Sequence, residues 1–143
     1  MKILHIEDEE DLVSLIRISC HDHSVSTVGT LSQAKELIPQ EHFDVLLVDL
    51  NLPDSMGMNT IRELKGFGVP IMVLTGLTSV DFVQEAVALG VSDYMAKKDL
   101  TKTNLPLRLQ FIYEKAMKKA RKSFLAFSRF DELKPYLSCA ILA

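Results

Sequence analysis

Glu7, Asp8, Asp49, Thr75 and Lys97 are the side chains whose types and places in the chain could do chemistry together. Each stands where a short apolar run stops: Lys2 to Ile6, Val45 to Val48, Ile71 to Leu74 and Val91 to Met95 lead into them in turn. Open α/β sheets bind their ligands outside the carboxyl ends of the strands. If these runs are neighbouring strands, three carboxylates, a hydroxyl and an ammonium converge on one patch. Crowded carboxylates raise one another's pKa unless a cation sits among them, and a hard divalent ion with oxygen ligands, Mg²⁺ above all, meets that need. A metal held by two acids beside a third carboxylate, with a lysine and a hydroxyl at its flanks, suits phosphoryl transfer onto that carboxylate. Asp49 is the expected nucleophile, because it ends the central run.

Taken singly, each residue has an ordinary reading as well. The acids from Glu7 to Asp11 suit the positive end of a helix dipole. Asp49 before Leu-Asn-Leu-Pro suits a turn, Thr75 before Gly76 a strand-end hydroxyl, and Lys97-Lys98 a solvated pair. Their coincidence at one edge is what favours a site.

The elements that must position these groups alternate between strand-like and helix-period segments. A fifth apolar run, Val25 to Val28, joins the four already named, and such alternation is the signature of βαβ units and a parallel sheet. Leu12, Leu15, Ile16 and Ser19 form one helical face, and Ala34, Leu37 and Ile38 a second, opened by Thr30 and Gln33 at the spacing of a capping box. Ile61 and Leu64 mark a short third helix. A fourth opens at Thr78 or Ser79, turns Phe82, Val83, Ala86 and Leu89 inward, and stops at Gly90. A fifth opens near Asn104 and reaches at least Lys122. Five strands each followed by a helix predict an α/β fold, a three-layer, doubly wound five-stranded parallel sheet with right-handed crossovers.

Composition narrows the classes. With 143 residues, 48% hydrophobic and 24% charged, the chain is an ordinary globular domain, large enough to need no staple. Two cysteines make no disulfide framework. A formal net charge of −3 gives the molecule as a whole no electrostatic footprint for nucleic acid or an anionic membrane. The N-terminal apolar stretch is broken by His5 and stops at Glu7, too short for a signal peptide, and no run approaches the ~18 apolar residues of a membrane span. A cytoplasmic location is the expectation.

The segments Ile3-Leu-His-Ile-Glu7-Asp8-Glu9, Val45-Leu-Leu-Val-Asp49-Leu-Asn-Leu-Pro53 with Gly57, Val73-Leu-Thr75-Gly76 and Gly90-Val-Ser-Asp-Tyr94-Met-Ala-Lys97 together resemble the receiver domain of two-component response regulators. The resemblance runs from residue 2 to about residue 120 and implies the flavodoxin-like strand order 2-1-3-4-5. It implies that Asp49 accepts a phosphoryl group from a kinase histidine, and that Glu7, Asp8, Asp49 and the backbone carbonyl of Asn51 surround Mg²⁺. Thr75 and Tyr94 would be a switch pair, and the protein a phosphorylation-controlled signalling switch rather than an enzyme, partnered by a histidine kinase or phosphotransfer protein. Two departures stand out. Glu7 occupies a place where an aspartate is common, and Lys98 follows Lys97 where a proline, usually with a cis bond, is common. A non-proline cis bond costs about 2.5–4 kcal/mol. Lys97 is preferred to Lys98 as the phosphate partner because Tyr94 precedes it by three residues.

Other readings compete. An aspartyl-phosphate phosphohydrolase would also carry an aspartate nucleophile beside Mg²⁺, but has an acid two residues on, where this chain has Asn51. A flavin module would need Ser, Thr and Gly in the acidic first loop. A receiver-shaped interaction module that takes no phosphate would have no use for the full acidic set. His21-Asp-His23 lacks a third metal ligand nearby and reads as a turn. Lys115, Lys118, Lys119 and Lys122 lie on one flank of a helix and read as a solvated face, so direct nucleic-acid binding is not expected.

Residues 1–122 are expected to form the receiver domain and residues 123–143 an apolar helical extension. Phe124, Phe127, Phe130, Leu133 and Leu137 predict a stripe that must be covered, by the same domain or, preferably, by a second copy across a two-fold axis. Pro135 is expected to end the fifth helix, with the remaining residues turning back.

Overall fold

The computed structural model describes residues 1–76 and 79–142, with only the backbone of residues 130–142. The chain divides into two compact units, Met1–Tyr113 and Glu114–Ala143.

Among the described residues, seven strands and five α-helices follow in order: β1 (Lys2–Ile6), α1 (Glu10–Ser19), β2 (Ser24–Val28), α2 (Leu31–Leu37), β3 (Val45–Val48), β4 (Asn51–Leu52), β5 (Ser55–Met56), α3 (Met58–Leu64), β6 (Ile71–Thr75), α4 (Val80–Ala88), β7 (Asp93–Ala96) and α5 (Asn104–Leu142). The main sheet has the order β2-β1-β3-β6-β7, and every pair in it is parallel. This is the expected doubly wound fold. The antiparallel pair β4-β5 was not expected, since two residues per strand leave no periodicity to read.

Alternate residues of the central strands feed two cores, as the period of two in a strand requires. Leu4, Ile6, Leu46, Val48, Ile71 and Val73 pack with Leu31 and Ala34 of α2, Ile61 and Leu64 of α3, and Ala86 of α4. Ile3, Val45, Leu47, Met72, Leu74 and Met95 pack with Leu12 and Ile16 of α1 and with Leu105, Leu109 and Ile112 of α5. The strands are apolar on both sides because both faces of the sheet are covered.

Several boundaries differ from the sequence expectation. β6 includes Thr75, and β7 starts at Asp93, two residues after Val91. In α4 only Ala86 is fully buried, while Phe82 and Leu89 pack from the margin. Ser79 is the N-cap, its Oγ accepting from the Phe82 N–H; Thr78 lies outside the described residues. Gly90 follows the helix with φ at 91°, a left-handed conformation that favours glycine. The capping box of α2 is displaced on one side. Thr30 Oγ1 accepts from the Gln33 N–H at 3.1 Å, but Gln33 Oε1 accepts from the Gly29 N–H at 2.9 Å rather than from Thr30. Met58 is a core residue and Met56 is exposed.

The expected break at Pro135 does not occur. The α5 backbone stays helical over 39 residues to Leu142, because a proline removes one N–H from the ladder and the bonds on either side can carry the helix through. Lys122 and Ser123, the expected boundary, both lie inside it. Phe124 and Phe127 are exposed at 68% and 63%, whereas the side chains of Phe130, Leu133 and Leu137 lie outside the described residues.

Candidate functional site

Strand order brings the chemistry to one end of the sheet. β1, β3, β6 and β7 are consecutive neighbours, and their carboxyl ends deliver Glu7-Asp8, Asp49, Thr75 and Lys97. Register finishes the alignment: Ile6 is level with Val48, Val48 with Val73, and Thr75 with Ala96. Asp49 is fixed by its own N–H, which donates to Ile6 O at 3.0 Å, and its Oδ1 accepts from the Asn51 N–H at 3.2 Å.

Glu7, Asp8 and Asp49 each place a carboxylate oxygen within 4.8 Å of the others. Asp49 and Glu7 are buried, while Asp8 faces the opening. Burial, and after it the neighbouring Asp49 charge, push the Glu7 carboxyl up to about 7. One Glu7 oxygen accepts from the Glu9 N–H at 3.2 Å. The other, Oε2, is buried without an aligned hydrogen bond and lies 3.3 Å from Lys97 Nζ. A buried oxygen left in that condition beside two further acids is what a divalent cation would relieve, so the donor set fits Mg²⁺.

Lys97 is the counter-charge. Its Nζ donates to Asp49 Oδ2 at 3.1 Å and reaches Glu9 Oε2 at 3.6 Å. Desolvation works against the ammonium, but the hydrogen bond to Asp49 and the charges of Asp49 and Glu7 outweigh it and raise the Lys97 pKa. Lys98 is exposed. Among the described residues no peptide bond is cis, and Lys97–Asp99 form a single 3₁₀ turn. Thr75 is buried at the end of β6. Tyr94 lies on β7 level with Val73, half-buried against the core shared by α2, α3 and α4. The carbonyl-bearing Asn51 opens β4.

One residue was missed. Asp54, at the β4-β5 turn, accepts from the Leu31 N–H on Oδ1 at 2.8 Å and from the Ser32 N–H on Oδ2 at 2.9 Å. These two bonds hold its carboxyl below the usual range, and they tie the loop after Asp49 to the N-terminus of α2. The Pro53-Asp54 turn signal was visible, but nothing local pointed across to Leu31. A second tie is the bond between the buried Ser55 and Thr60 hydroxyls at 2.7 Å.

The fold and site together define a doubly wound α/β domain with an acidic pocket and a lysine at the carboxyl edge of its sheet. Comparison with known proteins makes it specific: residues 3–110 match the response regulator receiver domain, and the chain belongs to that family. It is 34% identical over 101 residues to the two-component response regulator PhoP of Pseudomonas aeruginosa, covering 68% of this chain and 45% of that one. It is 32% identical over 101 residues to the cell cycle transcriptional regulator CtrA of Caulobacter vibrioides, covering 68% of this chain and 44% of that one. The chain thus spans less than half the length of these relatives. The BeF₃-activated N-terminal receiver domain of Klebsiella pneumoniae RstA superposes with a TM-score of 0.72 at 32% identity, covering 79% of this chain and 98% of that one. A CheY-like receiver domain protein of Methanospirillum hungatei, 21% identical with a TM-score of 0.74 over 82% of this chain and 97% of that one, shares the fold.

Proposed function

We propose that this receiver domain is switched by phosphorylation of Asp49, with a histidine kinase or phosphotransfer protein as donor. The observation that carries the reading is the ion pair of Lys97 Nζ with Asp49 Oδ2 at 3.1 Å, set among the carboxylates of Glu7 and Asp8. An Asp49 oxygen attacks phosphorus, the new P–O bond forms as the bond to the donor's imidazole nitrogen breaks, and the imidazole leaves. Asp49 is oriented for this by the Asn51 N–H on its other oxygen. Lys97 is within reach of the charge that arrives, and the Thr75 hydroxyl would donate to a further phosphoryl oxygen. Glu7, Asp8, Asp49 and the Asn51 carbonyl would hold Mg²⁺, which when bound offsets the negative charge of the acids and the phosphoryl group.

The readout follows from the same strands. Movement of Thr75 toward the phosphate, and of Tyr94 inward after it, would change the surface of α4, β7 and the first turns of α5. That surface exposes Val87, Leu107 and Phe111 at 61%, 65% and 69%, which suits a protein partner. The relatives named above are regulators, and one of them, CtrA, is a regulator of transcription by name; the output of this chain is a protein contact on that surface.

Intact-mass measurement at mild pH tests the reading. With Mg²⁺ and acetyl phosphate the chain gains one phosphoryl group and Asp49→Asn gains none. A wild type that stays unmodified, or a variant modified equally, overturns it.

A further inference from the structure

The second unit carries a surface that phosphoryl transfer does not use. From Lys115 to Arg129 helix α5 holds six cations, Lys115, Lys118, Lys119, Arg121, Lys122 and Arg129, and no acid. Sixteen of the nineteen acids of the chain precede Glu114, so the net charge of −3 averages an acidic first unit with a cationic helical segment later in the sequence. Over the same residues Met117, Ala120, Phe124 and Phe127 recur at intervals of three and four, which puts them on one helical face. Met117, Phe124 and Phe127 are 49%, 68% and 63% exposed. At 3.6 residues per turn, Lys115, Lys118, Lys122 and Arg129 fall on the opposite face, with Arg121 and Lys119 at the two borders.

We propose that this segment of α5 lies on an anionic lipid surface, its phenylalanines in the acyl boundary and its cations among the headgroups. The choice of occupant rests on charge complementarity over the whole circumference. A second copy on the apolar stripe would cover Phe124 and Phe127 but leave the cations uncompensated, and these already stand at the like-charge spacings of three and four residues that weaken a helix (Lys115 with Lys118 and Lys119, Lys118 with Lys122). Nucleic acid would engage the cations and leave the phenylalanines in water. Only a surface that is anionic outside and apolar beneath satisfies both faces, and border residues such as Arg121 and Lys119 can snorkel from one to the other. The expectation of no membrane partner came from whole-chain charge, which averages the two units.

Flotation of the full chain with vesicles tests this. Phosphatidylcholine vesicles containing phosphatidylglycerol should carry the protein, pure phosphatidylcholine vesicles should not, and added salt should release it. The pairs Lys118→Glu with Lys119→Glu, and Phe124→Ser with Phe127→Ser, should each lower partitioning about tenfold or more, while Asp49 still accepts phosphate. Asp49→Asn should float like the wild type, which separates this proposal from the phosphoryl-acceptor reading. Equal binding to both vesicle types overturns the proposal, as does failure to bind anionic vesicles at low salt. So does binding that survives loss of both phenylalanines, which marks adsorption to any polyanion, including nucleic acid. Sedimentation of the lipid-free chain as a stable dimer that Phe124→Ser with Phe127→Ser dissociates assigns the stripe to a second copy and also overturns it.

Discussion

Lys97 Nζ lies 3.1 Å from Asp49 Oδ2 and 3.3 Å from Glu7 Oε2, so one ammonium is shared by two buried carboxylates. Its removal leaves those charges facing each other in a poorly solvated pocket, whereas Lys98, one residue on, is exposed.

Substitution of the two lysines should therefore give opposite results. Lys97→Ala should lower the initial rate of phosphorylation by acetyl phosphate on the order of tenfold or more, a loss comparable to that of other charge-stabilising groups, and Lys98→Ala should leave it within about twofold. Equal effects would mean that the 3₁₀ turn rearranges to present the second lysine.

The acidic cluster makes a pH prediction for the metal-free protein. Glu7 has a folded pKa of about 7 against an ordinary 4.5, so the folded state holds its proton more tightly than the unfolded state. Stability from this group is present below 4.5 and is lost as the pH rises to about 7. Urea unfolding without metal should show that decline, and Glu7→Gln should flatten it. With Mg²⁺ the decline should shrink, since a bound cation favours the ionised form. In direct Mg²⁺ titrations Asp8→Ala should cost more affinity than Glu7→Ala, because the shorter, solvent-facing carboxylate is the freer to ligate.

Asp54 should prove to be a positioning residue. Asp54→Ala removes two charge-assisted bonds from the first turn of α2 and should cost about 1–2 kcal/mol of stability. It also frees the β4-β5 hairpin, whose first residue is Asn51, so Mg²⁺ affinity should fall with it. Asp54→Asn, which keeps an acceptor for one N–H, should recover part of both. A variant that loses stability with unchanged Mg²⁺ affinity would confine Asp54 to capping α2.

The fold and most of the site were legible in the chain because both depend on local patterns. Ile3, Leu4, Ile6, Val45, Leu46, Leu47 and Val48 are apolar without interruption apart from His5, as strands covered on both faces must be, and a polar residue at the end of such a run lies at a sheet edge wherever the strand is placed. Glu7, Asp8, Asp49, Thr75 and Lys97 could be named on that ground. What tertiary structure alone decided lay in contacts between distant residues and in ladders too short or too cooperative to read. Asp54 meets Leu31 across 23 positions, a bond that exists only after β3 and the loop behind it are docked beside α2. The place of Tyr94 already favoured Lys97 over Lys98, and tertiary structure supplied the geometry, a 3₁₀ turn that points one lysine at Asp49 and leaves the other in water. The passage of α5 through Pro135 was decided by the helical bonds on both sides, which a residue-by-residue propensity for proline does not count.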